Sequence, residues 1–167
     1  MPRTPPIFAP TLRGTFYRAI DPAFRSSAVA GSRAAGRYSR AHEPTLYLSA
    51  TREGVAAAMV AHRSARASAL EVAEVDVEAW GIVDLRDPRA AEAAGVDLAN
   101  AAAPWQGVAA AGGAPTSWAV RDRLLRLGAN GLIDPSRQRP GLWHLVLFRW
   151  NEEGAPAVRL RDAADPR

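Results

Sequence analysis

The 167-residue chain has no cysteine. A disulfide framework, a thiolate zinc site and a cysteine nucleophile are therefore excluded. It also has no lysine, so all 21 basic residues are arginine. That removes Schiff-base chemistry and any phosphate loop built on a lysine. Histidine occurs only at 42, 62 and 144, with no His-Glu-x-x-His spacing, so no metal site is expected. No apolar run approaches the roughly 20 residues of a membrane-spanning helix. Nor does the chain open with a basic stretch, an apolar stretch and a small-residue cleavage site, so a cytoplasmic protein is expected. A Gly-x-Ser-x-Gly elbow is missing. Gly107–Gly113 lacks the Gly-x-Gly-x-x-Gly spacing of a dinucleotide loop.

Hydrophobic residues make up 48% and charged residues 23%, the composition of one globular domain. The net charge is +4 and the arginines are scattered, without a dense basic run. Such a distribution does not point to nucleic acid. It suits a site where guanidinium forks grip phosphate or carboxylate.

Four prolines at 2, 5, 6 and 10 predict an irregular arm over residues 1–13. Strands are expected at Thr15–Ile20, Thr45–Ser49, Leu70–Val77, Gly81–Leu85, Gly131–Asp134, Leu142–Arg149 and, more weakly, Ala157–Arg161. Leu142–Arg149 is apolar on both faces and should be central. Helices are expected from Glu53 to about Arg63 with Thr51 as cap, from Asp87-Pro88 to Ala94, and over Trp118–Leu127 with Gly128 as stop. In the last of these, Val120, Leu124 and Leu127 share an apolar face, with Arg121, Arg123 and Arg126 as polar partners. Residues 21–44 read as a long loop, which in a compact domain is usually functional or disordered. The Ala/Gly-rich stretch 99–115 holds Trp105, and its Ala111–Ala114 portion reads as a flexible loop. His144 reads as a hydrogen-bonded core histidine. The pattern is a mixed α+β single domain with short strands, two or three helices and a polar tail over 162–167.

Short segments carry the functional signal. They are Phe16-Tyr17-Arg18, Gly36-Arg37-Tyr38-Ser39, Pro44-Thr45-Leu46-Tyr47-Leu48-Ser49 and Gly128 through Pro135-Ser136. Arginines beside aromatics, with a serine after a strand, suit a dinucleotide: arginine for pyrophosphate, an aromatic ring to stack, a hydroxyl for ribose or amide. In order and spacing these segments resemble the RES-domain family, named for Arg, Glu and Ser. Asp84–Pro88 and Trp105 fall between them in the family's order, so the resemblance spans about residues 14–150 of a domain expected over 14–161.

The resemblance implies a fold similar to ADP-ribosyltransferases. It implies a toxin that takes NAD as substrate and cleaves its nicotinamide–ribose bond, as a glycohydrolase or phosphorylase, without a metal. ADP-ribose transfer to a protein, and a nucleotide-binding pseudoenzyme, are the alternatives. It implies an Xre-type helix-turn-helix antitoxin as partner, with no direct nucleic acid and no membrane; a homo-oligomer is compatible. On these positions Arg18, Arg37, Tyr38, Tyr47 and Ser136 would bind NAD, with Arg37 and Ser136 also in catalysis. The family's Glu would fall in Ala56–Met59, where none stands. Glu53 is the nearest candidate carboxylate, with Glu71 and Glu74 as alternatives. Positive charge develops on the ribose as its bond to nicotinamide breaks, and an anion stabilises it.

Overall fold

The computed structural model describes residues 6–59 and 70–162. Within these residues the chain forms one seven-stranded mixed sheet with helices against it, so the expected α+β class holds. The strands are β1 (Leu12–Ile20), β2 (Leu46–Ser49), β3 (Glu71–Ala79), β4 (Ile82–Asp84), β5 (Gly131–Pro135), β6 (Trp143–Leu147) and β7 (Ala157–Leu160). Their order is β4-β5-β6-β2-β1-β3-β7, and only the β4–β5 pair is parallel. The strand expected at Thr15 begins three residues earlier, because Leu12 to Ile20 pair along the whole of β3. β6 lies inside the sheet, and both its faces are covered, as its two apolar faces require.

Period-two alternation sorts the core onto two faces. Val83, Leu132, Val146 and Tyr47 meet the helices on one side. Phe16, Leu48, Val75, Ile133 and Leu145 form the other. Between β1 and β2 the ladder is a single register pair, Tyr17 with Ser49, so the sheet parts there.

The helices are α1 (Arg52–Met59), α2 (Pro88–Ala93), α3 (Leu98–Ala102), α4 (Gln106–Ala110) and α5 (Thr116–Arg126). The Thr51 hydroxyl caps α1 by accepting from the Gly54 amide at 3.0 Å. Residues 60–63 of the helix expected there, and His62, lie outside the described residues. Asp87 caps α2 and Asp97 caps α3, each through its carboxylate. The Ala/Gly-rich stretch 99–115, for which no element was expected beyond the loop at Ala111–Ala114, holds α3's last turn and all of α4. Alanine carries no periodic apolar signal there, and the Asp97 cap is the cue that was passed over.

Gly128 takes φ +80, and the Ala129 amide donates back to the Leu124 carbonyl at 3.0 Å, closing α5 as expected. The buried face of α5 is Ser117, Val120, Arg121 and Leu124. Arg121 is therefore not a surface partner of that helix; it is 5% exposed. The loop 21–44 is ordered by local devices. Asp21 caps a 3-10 turn at Pro22–Ser27, Ser32 bridges Thr45, and Trp150 Nε1 donates to the Val29 carbonyl at 2.8 Å.

Candidate active site

A cavity of about 620 Å³ opens where the sheet parts. Its size lies in the range of small-molecule sites. Arg18, Arg37, Tyr38, Tyr47 and Ser136, the five residues expected to bind, all line it. Glu53 does not line it. That residue is exposed in the first turn of α1. Glu71 and Glu74 are spent elsewhere as well. Glu71 pairs with Arg25 at 2.9 Å, and Glu74 pairs with Arg52 at 2.6 Å and Arg161 at 3.1 Å.

One wall is the turn Gly36–Ser39, and α5 builds it. Three successive carbonyls of the turn accept from one face of that helix. Trp118 Nε1 donates to the Gly36 carbonyl at 2.9 Å and Arg121 Nη1 to the Tyr38 carbonyl at 3.0 Å, while the Ser117 hydroxyl donates to that of Arg37. Arg40 adds a two-pronged pair with Asp122, at 3.0 and 2.8 Å. The buried Arg121 explains why α5 tolerates a charge on its apolar face: its donors complete the turn.

Gly36 must be glycine. A Cβ there would stand 2.5 Å from the Tyr47 hydroxyl oxygen. That hydroxyl accepts from the Tyr38 amide at 3.1 Å and bonds the Ser39 hydroxyl at 2.7 Å. Tyr38 is fully buried, and its phenol donates to Asp134 Oδ1 at 2.7 Å. Burial, then the nearby carboxylate, pushes the Tyr38 pKa well up, and burial raises that of Tyr47. Both phenols stay protonated and act as donors and rings.

Asp134 is the one carboxylate among the described residues that line the cavity. Arg137 grips it with a fork at 2.8 and 3.0 Å and also donates to the Ala101 carbonyl at 2.9 Å. Burial works against the Arg137 cation, but the Asp134 bonds and charge outweigh it and raise its pKa. Arg37 donates to the Ala101 and Ala103 carbonyls at 3.1 and 2.7 Å, so both arginines converge on the C-terminal end of α3. Burial, then the Arg137 charge, lowers the Arg37 pKa. The Ser136 hydroxyl oxygen accepts from the Arg139 amide at 3.2 Å, which leaves its own proton to donate into the cavity.

The opposite wall comes from β1. Arg18 reaches in where β1 and β2 separate, and its Nη1 is buried without a hydrogen-bond partner among the described residues. Burial lowers its pKa, yet a guanidinium stays charged in proteins. A buried, unspent donor on a cation is costly unless something completes it.

Sequence reasoning passed over Asp134, Arg137, Ser49 and the cavity role of His144. Asp134 stood inside the quoted Gly128–Ser136 segment but was not singled out. His144 is bonded, as expected, its Nδ1 lying 3.0 Å from Ser49 Oγ, but it is half-buried and lines the cavity.

A parted mixed sheet with a cavity at its seam, lined by Arg18, Arg37 and Arg137, defines the class as a single α+β domain. Within that class the chain belongs to the RES-domain family, whose pattern matches residues 13–166. The chain is also similar to one from the crystal structure of the M.tuberculosis MbcT-MbcA toxin-antitoxin complex. The identity is 19% and the TM-score 0.59, covering 90% of this chain and 82% of that one, which is a likeness of fold. No curated protein matches the chain.

Proposed function

We propose that the cavity binds NAD and that the protein cleaves the nicotinamide–ribose bond, acting as the toxin of a toxin–antitoxin pair. The observation that carries this reading is the unpartnered, buried Arg18 guanidinium nitrogen facing a cavity that also holds Arg37 and Arg137. Among the described residues that line the cavity, three guanidiniums against the Asp134 carboxylate leave two positive charges, the complement of a dinucleotide's pyrophosphate. The neighbouring fold's place in a toxin-antitoxin complex supports the toxin role and an antitoxin partner. An Xre-type antitoxin, a cytoplasmic setting and no need for a metal accompany the proposal.

Arg18 and Arg37 hold the phosphates. Tyr47 packs on the nicotinamide, Tyr38 shapes the wall behind it, and Ser136 orients ribose or amide. Asp134 replaces Glu53 as the cavity's anion near developing positive charge. The test is nicotinamide release from NAD by the purified protein, beside Arg18→Ala and Arg37→Ala. Release by the parent and its loss in both variants is the expected result. Turnover unchanged in both would reject the assignment. Labelled NAD followed into protein would redirect the reading to ADP-ribose transfer.

A further inference from the structure

The cavity floor is a row of four cross-strand partners. Tyr17 on β1 faces Ser49 on β2, Ser49 faces His144 on β6, and His144 faces Asp134 on β5. Directly opposed residues share a face of a sheet, and all four line the cavity. His144 sits within this row with one ring nitrogen engaged: Nδ1 lies 3.0 Å from Ser49 Oγ. Nε2 has no hydrogen-bond partner among the described residues. Tyr47, two residues before Ser49 on the same face, lines the cavity beside it.

We infer that His144 is the general base of the cleavage proposed above, and that the acceptor it serves is water rather than inorganic phosphate. The inference rests on that reaction. An inorganic phosphate dianion attacks without losing a proton, whereas water must give one up, and a positioned imidazole is the commonest group to take it. The assignment requires that Nδ1–H donate to Ser49 Oγ, the tautomer that leaves the Nε2 lone pair free. The water oxygen bonds to ribose C1′ as the C1′–nitrogen bond breaks. That bond's electron pair leaves with nicotinamide, which departs neutral, and the water's proton passes to Nε2.

The charges around the ring fit the role. Asp134 and Arg137 approach from β5 and the residues after it. Tyr17 lines the cavity from β1 and Tyr47 from β2, and Val55, Ala58 and Met59 of α1 bring no charge. Burial, with Arg137, outweighs Asp134 and holds the imidazole below its ordinary 6.5, so it is neutral at physiological pH.

The experiment follows both products of NAD turnover against pH and added phosphate, for the parent, His144→Gln and Ser49→Ala. The expected product is ADP-ribose, at a rate indifferent to phosphate. The parent's rate rises with pH through a limb centred below 6.5 and then levels. His144→Gln abolishes that limb and lowers kcat on the order of 100-fold, with KM within a few-fold. Ser49→Ala moves the limb, which loss of packing alone would not do. ADP-ribose 1-phosphate as main product overturns the water assignment. A parent profile with no rising limb below pH 6.5, followed down to the acid limit of the folded protein and read without any substitution, overturns the base assignment. A folded His144→Gln within about threefold of the parent does the same. A parent that releases no nicotinamide removes the reaction itself, and the inference with it.

Discussion

The two walls of the cavity are built on opposite principles. On the α5 side three cations are already engaged: Arg37 on two carbonyls, Arg137 on Asp134 and Ala101, Arg121 on Tyr38 and Thr45. On the β1 side Arg18 keeps a buried nitrogen with no hydrogen-bond partner among the described residues. A side chain whose donors end on the protein contributes to the fold, and its loss leaves its partners unpaired. A side chain whose donor ends in empty space costs the fold something and contributes only when a ligand arrives. Arg121 and Arg137 thus serve stability on one side and Arg18 serves binding on the other, while Arg37, whose two carbonyl bonds both come from Nη1, does both.

The sharpest way to break this contrast is Asp134→Ala. It leaves the Tyr38 hydroxyl and the Arg137 fork without their shared acceptor in a buried place. A loss of about 3 kcal/mol is expected, since removing one partner strands the other. For a domain of this size that lowers Tm by roughly 6–12 °C in a thermal melt. Arg18→Ala should do the reverse. Tm should hold or rise, while NAD affinity measured by calorimetry falls by about 2 kcal/mol, the value of charge-assisted bonds to phosphate. If Arg18→Ala melts early and binds normally, the two walls are alike and the contrast fails.

Tyr47→Phe sharpens the comparison within the engaged wall. The Tyr38 amide and Ser39 hydroxyl lose a shared partner, at a cost of about 1 kcal/mol in denaturant unfolding. Smaller still is the acid limb from Asp122. Its bond to Arg40 holds its pKa below the ordinary 3.8. That stability is complete above the unfolded value and lost as pH falls through the lower folded one. Asp122→Asn should flatten unfolding free energy against pH below about 4 and leave Arg18 binding untouched. Glu53→Ala, at the exposed start of α1, should leave NAD turnover unchanged.

Legibility in the sequence followed the same division. Arg18, Arg37, Tyr47 and Ser136 stand in segments that can be read locally, and the cavity gathers all four. Strands were legible wherever β-formers alternate, and Gly128 marked the end of α5. Asp134 and His144 were not singled out for this cavity. Their meaning comes from register across β2, β6 and β5, and pairing partners 95 residues apart leave no local trace. Arg121 was misplaced for a related reason. A helix period assigns a charged residue to water, and only the Tyr38 carbonyl, the Thr45 hydroxyl and Glu43 show what draws it inward. Spacing along the chain points to Glu53 as the carboxylate, with Glu71 and Glu74 as alternatives. Register across the sheet brings Asp134 to the cavity from β5, which no spacing along the chain reveals.

The single register pair joining β1 to β2 carries a further consequence. Two hydrogen-bonded plates, β4-β5-β6-β2 and β1-β3-β7, meet along a seam with almost no backbone stitching. Such a seam is a natural border between cooperative opening units, where amide protons exchange early while each plate keeps its own protection. Arg18 belongs to one plate, and Arg37, Tyr47 and Ser136 lie on the other side. A molecule held by both sets would act as a rivet across the border, and the slowing of deuterium uptake at Arg18, Ala19 and Ser49 would register its arrival before any chemistry occurs.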